Sequence, residues 1–352
     1  MTQRPTRLGL IGTGGIGRAY LEALEGSSIV DVVAVADERP EAAAGAAAAF
    51  GARSYGSHLA LAEDAGCEAV LVCTPPVTHE RISADCIDRD IAVLCEKPFG
   101  FDGGAARALV NRATDRGVLL TMASKFRFVD DVVRAKRIVD AGLLGEIILF
   151  ENAFTSRVDM RDRWNAVPEI SGGGVLIDNG THSVDLTRYF LGPIARVHAV
   201  DGKRAQGLAV EDTAQMFVES LTGVMGTIDL SWSLNKDRAS YLEIHGTNGT
   251  IRVGWKSSTY RQASSPDWVV FGTGYEKLAA LRAQAENFCE AVAGREALRI
   301  TSHDAIASVD VIQAAYASMG RAHWEIVPSD VGAVPSANGR AERPNFALQG
   351  VS

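Results

Sequence analysis

No stretch of the 352-residue chain approaches the eighteen unbroken apolar residues that read as a membrane span. No long basic run offers itself to nucleic acid either: 35 lysines and arginines stand against 43 acids, a formal charge of −8. Arg4 and Arg7 precede an apolar stretch that Gly9 and Gly12 interrupt, so no secretory core develops. Cysteine is scarce. Cys67, Cys73, Cys86, Cys95 and Cys289 form an odd, irregular set without a C-x-x-C pair, which points to a reduced, cytoplasmic protein. What remains is a chain with 47% hydrophobic residues, long enough for two domains with large cores.

The first motif follows a short apolar strand, Arg7 to Ile11. Gly12-Thr13-Gly14-Gly15-Ile16-Gly17 comes at once and leads into a helical pattern from Arg18. In that order, strand, G-x-G-x-x-G, helix, Gly12 permits a tight turn, Gly14 lets a pyrophosphate approach, and Gly17 lets helix pack on strand. The next apolar run, Asp31 to Ala36, ends at Asp37, twenty residues beyond Gly17, where a carboxylate accepts hydrogen bonds from an adenosine ribose. Glu38 adds a second negative charge against a 2′-phosphate. Arg39 opposes it, and NAD is expected over NADP.

Further strands are expected at Ala69–Cys73, Ile91–Cys95 and Val118–Met122, with helices at Pro40–Phe50, Arg81–Asp90 and Ala105–Arg116. Alternation of this kind gives a parallel sheet covered on both faces, with ligands at the C-terminal strand ends. Thr74-Pro75-Pro76 and Glu96-Lys97-Pro98 both begin at such ends. From about residue 126 the pattern becomes α+β. Val224 to Trp232 alternates with period two, and Asn248-Gly249 is a hairpin signal. Helices follow at Leu278–Ala293 and Asp304–Met319. The expected organisation is α/β: a Rossmann domain over residues 1–125, an α+β domain with an open, mainly antiparallel sheet over 126–327 for substrate binding and oligomerisation, and a tail or arm over 328–352.

The stretch from Gly173 to Asp185 carries the chemistry. In a helix Asp178, His182 and Asp185 share one face. Three readings stay open on these residues alone: a solvated polar face, an acid/base histidine oriented by a carboxylate, and a metal site at i, i+4, i+7.

Four elements in order resemble the Gfo/Idh/MocA family of glucose-fructose oxidoreductase and inositol dehydrogenase relatives. They are Gly12 to Gly17, Cys73-Thr74-Pro75-Pro76-Val77-Thr78-His79, Glu96-Lys97-Pro98, and Gly174 to His182 with its D-x-G-x-H core. The resemblance spans about residues 5 to 325. It implies a Rossmann domain followed by an open-sheet domain used for homodimers or homotetramers, and NAD or NADP bound in the cleft, with Cys73, Thr74, Pro75, His79 and Glu96 on the cofactor side. It further implies oxidation of a secondary alcohol of a sugar, cyclitol or related polyol, or reduction of the ketone. The family's lysine falls on Lys97, before a commonly cis proline at Pro98; its paired acid falls on Asp178 and its acid/base histidine on His182.

Hydride transfer asks for the same groups: a base for the hydroxyl proton and a cation for the oxygen. With Lys97 as that cation no metal is needed, and Asp185 is expected to be a structural hydrogen-bonding residue. Lys125, Arg127, Arg163 and Trp164 are candidates to contact substrate oxygens or line the cleft; the alternatives are a solvated basic pair for the first two and core packing for Trp164. For His79 a structural role at a helix start is the default, because it follows Pro75-Pro76. Two other functions fit the same residues less directly: a keto-sugar or nucleotide-sugar reductase of a biosynthetic pathway, and a non-catalytic cofactor-binding sensor.

Overall fold

A computed structural model describes residues 4–328; the tail expected from 328 lies, beyond its first residue, outside the described residues. The first half alternates strands and helices as expected. Strands β1 (Thr6–Ile11), β2 (Val30–Ala36), β3 (Arg53–Tyr55), β4 (Ala69–Val72), β5 (Ala92–Glu96) and β6 (Leu120–Ala123) form one parallel sheet in the order β3-β2-β1-β4-β5-β6. Helices α1 (Gly15–Leu24), α2 (Pro40–Ala48), α3 (His58–Asp64), α4 (His79–Ile87) and α5 (Gly103–Asp115) cover it. Runs such as Ala69-Val70-Leu71-Val72 are apolar throughout because both faces are covered; all four residues are buried. The strand order reverses between β1 and β4, which opens a crevice above their C-terminal ends. Helix α3 and strand β3 had no clear sequence signal; Ser57 caps α3 by accepting from the Ala60 N–H.

The second half supplies α6 (Asp130–Asp140), β7 (Ile147–Thr155), α7 (Pro168–Ser171), α8 (Val175–Leu191), β8 (Ile194–Asp201), β9 (Thr213–Ser220) and β10 (Met225–Ser231). Strands β11 (Ser240–Gly246), β12 (Gly249–Gly254), β13 (Ser258–Gln262) and β14 (Val269–Gly272) follow, then α9 (Lys277–Val292), α10 (Ser302–Arg321) and β15 (Glu325–Ile326). The nine strands run β14-β13-β12-β11-β7-β10-β9-β8-β15 and pair antiparallel except β7 with β10. The Asn248-Gly249 signal is the β11–β12 hairpin, closed by the pair Gly246 and Gly249. One face packs on α8, closely at Gly180, where a Cβ would sit 3.1 Å from the Leu230 side chain and press it aside by a few tenths of an ångström. The opposite face carries Phe217 and Met225, both exposed, among polar side chains.

The last two helices tie the halves together. Leu281, Ala285 and Phe288 of α9 join the core of the first sheet with Leu8, Leu10 and Tyr20, and full burial of side chains such as Leu281 and Phe288 is worth about 1.5–3 kcal/mol each. Helix α10 contributes Ala305, Ile306 and Val309 to one core and Val311, Ile312 and Ala315 to another. Its start is fixed by a reciprocal capping box between Thr301 and Asp304.

Candidate active site

The ends of β1, β2, β4, β5 and β6 at the crevice each deliver a residue that sequence reasoning singled out; the end of β3 brings Gly56 to His58, which that reasoning did not. Gly12 follows β1 at φ +96°, and a Cβ on Gly17 would lie 2.0 Å from the Gly12 carbonyl oxygen, so α1 packs on β1 only because Gly17 has no side chain. Gly14 and Gly15 face open space at the start of α1, where unpaired N–H groups and the helix dipole favour a phosphate. The residues present therefore fit a dinucleotide. Thr13 turns away from the cleft to fix Asp37: its N–H donates to Oδ2 at 2.8 Å and its hydroxyl at 2.6 Å. Arg39 folds back on the same carboxylate, Nε to Oδ1 at 3.0 Å and Nη2 to Oδ2 at 3.2 Å. Burial raises the Asp37 carboxyl, but the bonds from Arg39 and Thr13 outweigh it and hold the group well below the usual carboxylate range. Glu38 lines the cleft beside it.

Cys73, Thr74 and Pro75 line the cleft after β4. His79 does not. It is buried at the start of α4, Nδ1 2.9 Å from the Pro98 carbonyl oxygen and Nε2 2.8 Å from that of Thr74. Its place is therefore a brace between the loops after β4 and β5, which corrects the cofactor-contact expectation. The Lys97–Pro98 peptide is cis. Glu96 is buried beneath: Oε1 accepts from the Tyr20 hydroxyl at 3.0 Å and Oε2 from the Lys97 N–H at 3.1 Å. Burial pushes its carboxyl up against the pull of Lys97 and Lys125. All five thiols are free, and burial raises each, Cys67 to about 11 and Cys86 and Cys289 to about 12. None is an activated nucleophile.

Helix α8 begins at Val175, after three glycines. Gly172 and Gly173 take φ +78° and +157°, and a Cβ on Gly173 would meet the Tyr316 hydroxyl at 2.0 Å, so the glycines make a turn instead of a first helical turn. The free N–H groups of Gly174 and Leu176 both donate, at 3.0 Å, to Oε1 of buried Glu211, which also accepts from Tyr316 at 2.8 Å. A carboxylate at a helix N-terminus satisfies both the orphan donors and the dipole. Nothing in the local sequence announces Glu211, because its partners lie more than thirty residues away.

So held, α8 aims Asp178 and His182 at the cleft. Lys97 Nζ is ion-paired with Asp178 Oδ1 and donates to its backbone carbonyl at 3.2 Å. His182 is buried among Ser124 (Oγ to Nδ1, 3.3 Å), Lys125 (Nζ to Nε2, 3.5 Å) and the edge of the Phe126 ring. Burial first, then the charges of Lys125 and Lys97, keep its imidazole well below the usual histidine range, hence neutral. Asp185 takes a third direction. It pairs with Arg127 Nη2 at 2.7 Å, and Arg127 also reaches Asp304 at 3.3 Å. The three polar residues of α8 therefore share no common centre. Arg127 lies outside the cleft lining, which corrects the substrate-contact expectation: its guanidinium is used up in a buried ion pair that joins α8 to α10.

The cleft holds about 1440 Å³. Lys125, Arg163 and Trp164 line it, Trp164 42% exposed. Sequence reasoning missed its other wall. Phe126, Phe154, Trp255 and Tyr275 form a ring cluster, with Phe126 stacked on Tyr275 at 5.2 Å and tilted against Phe154 at 4.6 Å, and Asn179 and Ser156 join them at the lining. No spacing links these positions; the two sheets bring them together.

A glycine-rich phosphate turn, an acid at the ribose position and a lysine, aspartate and histidine in one cleft define a dinucleotide-dependent oxidoreductase. Residues 6–124 match the model of the oxidoreductase family with NAD-binding Rossmann fold, and residues 132–252 match the GFO/IDH/MocA C-terminal domain. The rhizopine catabolism protein MocA of Rhizobium meliloti is 30% identical over 328 residues, 90% of this chain and 95% of that one. Inositol 2-dehydrogenase of Rhizobium meliloti (strain 1021) is 29% identical over 70% of this chain and 74% of its own. The crystal structure of GenD2 from gentamicin A biosynthesis in complex with NAD superposes with a TM-score of 0.81 at 28% identity, covering 93% of this chain and 97% of that one. Levoglucosan dehydrogenase with NADH and levoglucosan gives 0.85 at 22% identity over 92% of this chain and 99% of that one, a likeness of fold. The chain belongs to the Gfo/Idh/MocA family of oxidoreductases.

Proposed function

We propose that the protein is an NAD-dependent dehydrogenase acting on a secondary alcohol of a cyclitol, sugar or aminosugar-type substrate. The observation that carries the reading is the meeting of Lys97, Asp178 and His182 in the cleft that Gly12, Gly14 and Asp37 also line. Bound NAD supplies the hydride acceptor. Gly12, Gly14, Gly15 and Glu96 would hold it, with Asp37 and Glu38 at the ribose. His182, neutral, takes the hydroxyl proton; Lys97, ion-paired with Asp178 and oriented by it, stabilises the oxygen as negative charge develops. Trp164, Trp255 and Tyr275 offer apolar faces to a ring, and Arg163, Asn179 and Lys125 offer donors to its hydroxyls. Relatives named for inositol, levoglucosan, D-apiose and D-xylose support a polyol substrate.

Ketone reduction would run the same proton path in reverse, since the imidazolium formed in oxidation is the proton donor in reduction. Relatives named as dehydrogenases of inositol, levoglucosan, D-apiose and D-xylose favour alcohol oxidation over keto-sugar reduction. A non-catalytic sensor would have no use for a lysine and histidine held this way. Initial rates of NAD reduction across cyclitols, free sugars and aminosugars test the proposal; no hydride transfer with any of them would count against it.

Cofactor preference follows from the same site. NAD is expected to bind tighter than NADP, because a 2′-phosphate faces Asp37 and Glu38. Asp37→Ser removes one charge and frees Arg39 to bind phosphate, so preference shifts toward NADP. Fluorescence titration of both cofactors reads this, and tighter NADP binding to the unaltered protein would overturn it. The open face of the nine-stranded sheet is proposed to be buried in a homodimer or homotetramer. Light scattering at micromolar concentration is expected to give two or four times the chain mass; a monomer would refute it.

A further inference from the structure

Lys125 is the one lysine of the cleft left without a carboxylate within ion-pair distance among the described residues, and its neighbour Ser124 touches the same imidazole. Together they bracket His182: the Ser124 hydroxyl at 3.3 Å from Nδ1 and the Lys125 ammonium at 3.5 Å from Nε2. Both come from the single turn that follows β6, Ser124 fully buried, so the bracket is positioned by the rigid end of the first sheet. An ammonium has hydrogens only to donate, so the Nε2 that Lys125 faces is the acceptor nitrogen and the ring hydrogen sits on Nδ1, toward the Ser124 hydroxyl. The Ser124 hydroxyl oxygen has lone pairs to accept that hydrogen.

We propose that Ser124 and Lys125 are positioning residues for His182: Ser124 accepts the hydrogen on Nδ1 and so fixes it there, and the Lys125 ammonium facing Nε2 keeps a second proton off that nitrogen. The inference rests on the reading of His182 as the proton acceptor and adds what prepares it for that task. With Nδ1 carrying the hydrogen, the lone pair of Nε2 points into the cleft. In oxidation a substrate hydroxyl displaces the long contact from Lys125, gives its proton to Nε2, and leaves its oxygen between the ammonium groups of Lys97 and Lys125. The proton moves from oxygen to nitrogen and the hydride leaves from carbon, so the step balances with the cofactor as two-electron acceptor.

The electrostatics around the ring agree. From the turn after β6 come Ser124 and Lys125, from the end of β5 Lys97 with Glu96 beneath it, from α8 itself Asp178 and Asp185, and from the start of α9 Lys277, which acts on Lys125. Asp178 is engaged by Lys97 and Asp185 by Arg127, so neither carboxylate draws a proton onto the imidazole. Burial lowers the Lys125 amine to about 8, opposed by Glu96 and Asp178 and helped by Lys97 and Lys277. Below that pH it carries the charge that faces Nε2. Two unit charges this close change a protonation constant roughly tenfold even at the dielectric of water.

Long-range 1H–15N spectra of the full chain read the tautomer and protonation of each of its seven histidines, with the His182 signal assigned by its loss in His182→Gln. The unaltered protein is expected to show His182 as the neutral Nδ1–H tautomer down to pH 6. In Lys125→Met its midpoint should rise by at least about one unit, since a like charge is gone; in Lys125→Arg, which keeps the charge, it should stay. Ser124→Ala should yield a mixture of tautomers. An Nε2–H tautomer in the unaltered protein, or an unchanged midpoint in Lys125→Met, would overturn the inference; if the Met variant does not fold, Lys125→Gln is read by the same standard. These spectra need no turnover. Absent hydride transfer with the expected spectra would refute the proposed function alone, and active enzyme with unexpected spectra would refute only the bracket.

Discussion

His182→Ala is expected to lower turnover about 10²- to 10⁴-fold, the range lost with a positioned general base. The ring is buried between the turn after β6 and α8, and it is the one imidazole among the described residues on α8 that line the cleft. Lys97 and Lys125 are cations there, and Asp178 is held by Lys97. NAD affinity should change little, because Gly12, Gly14, Gly15, Asp37 and Glu38 lie at the other end of the cleft. The fold should survive as well, since α8 is anchored by Glu211 at its start and by the Asp185–Arg127 pair further along, neither of which involves the imidazole. Stopped-flow or steady-state NADH absorbance, with cofactor titration alongside, checks all three.

Lys97→Ala is expected to cost about 10²- to 10³-fold, the usual loss on removing one donor from a site that stabilises developing oxygen charge. Two effects combine in this case. The cation disappears, and Asp178, relieved of its partner, presents an unpaired carboxylate to an oxygen that is becoming negative. Lys97→Arg should recover little, because a planar guanidinium cannot occupy the place of a point-like ammonium between the Asp178 carboxylate and carbonyl. The double variant with His182→Ala should lose less than the product of the single losses, since both residues serve one transition state. Turnover measured for the two single variants and the double decides this; fully multiplicative losses would mean that they act in separate steps.

The parts of the site that sequence reasoning reached are those in which chemistry and position are local. Gly12 to Gly17 and Asp37 follow from one strand, one turn and one helix, and the positions of Asp178 and His182 follow from helical spacing. Lys125 and Arg127 show where locality ends. They stand two residues apart in one basic segment, yet the 3₁₀ turn from Lys125 to Phe128 sends the first into the cleft and the second to Asp185 and Asp304. Their difference is decided by α8 and α10, which no window around residue 125 contains. The same holds for Glu211 under the start of α8, and for Trp255 and Tyr275 on the aromatic wall. Helices α9 and α10 were legible from their periodicity, but not that α9 completes the core of the first sheet or that α10 serves both cores, because amphipathicity reports that a face is buried and not against what.

The central claim is that His182 carries the proton in an NAD-linked oxidation of a polyol alcohol. It is tested most directly by following NADH formation with the unaltered protein and His182→Ala on the best substrate of a cyclitol, sugar and aminosugar panel, at saturating NAD and with folding and NAD binding verified for both. The account predicts rapid NADH formation by the first and a rate lower by about 10²-fold or more for the second. Near-equal rates would contradict it and move the proton to Lys97 or Lys125.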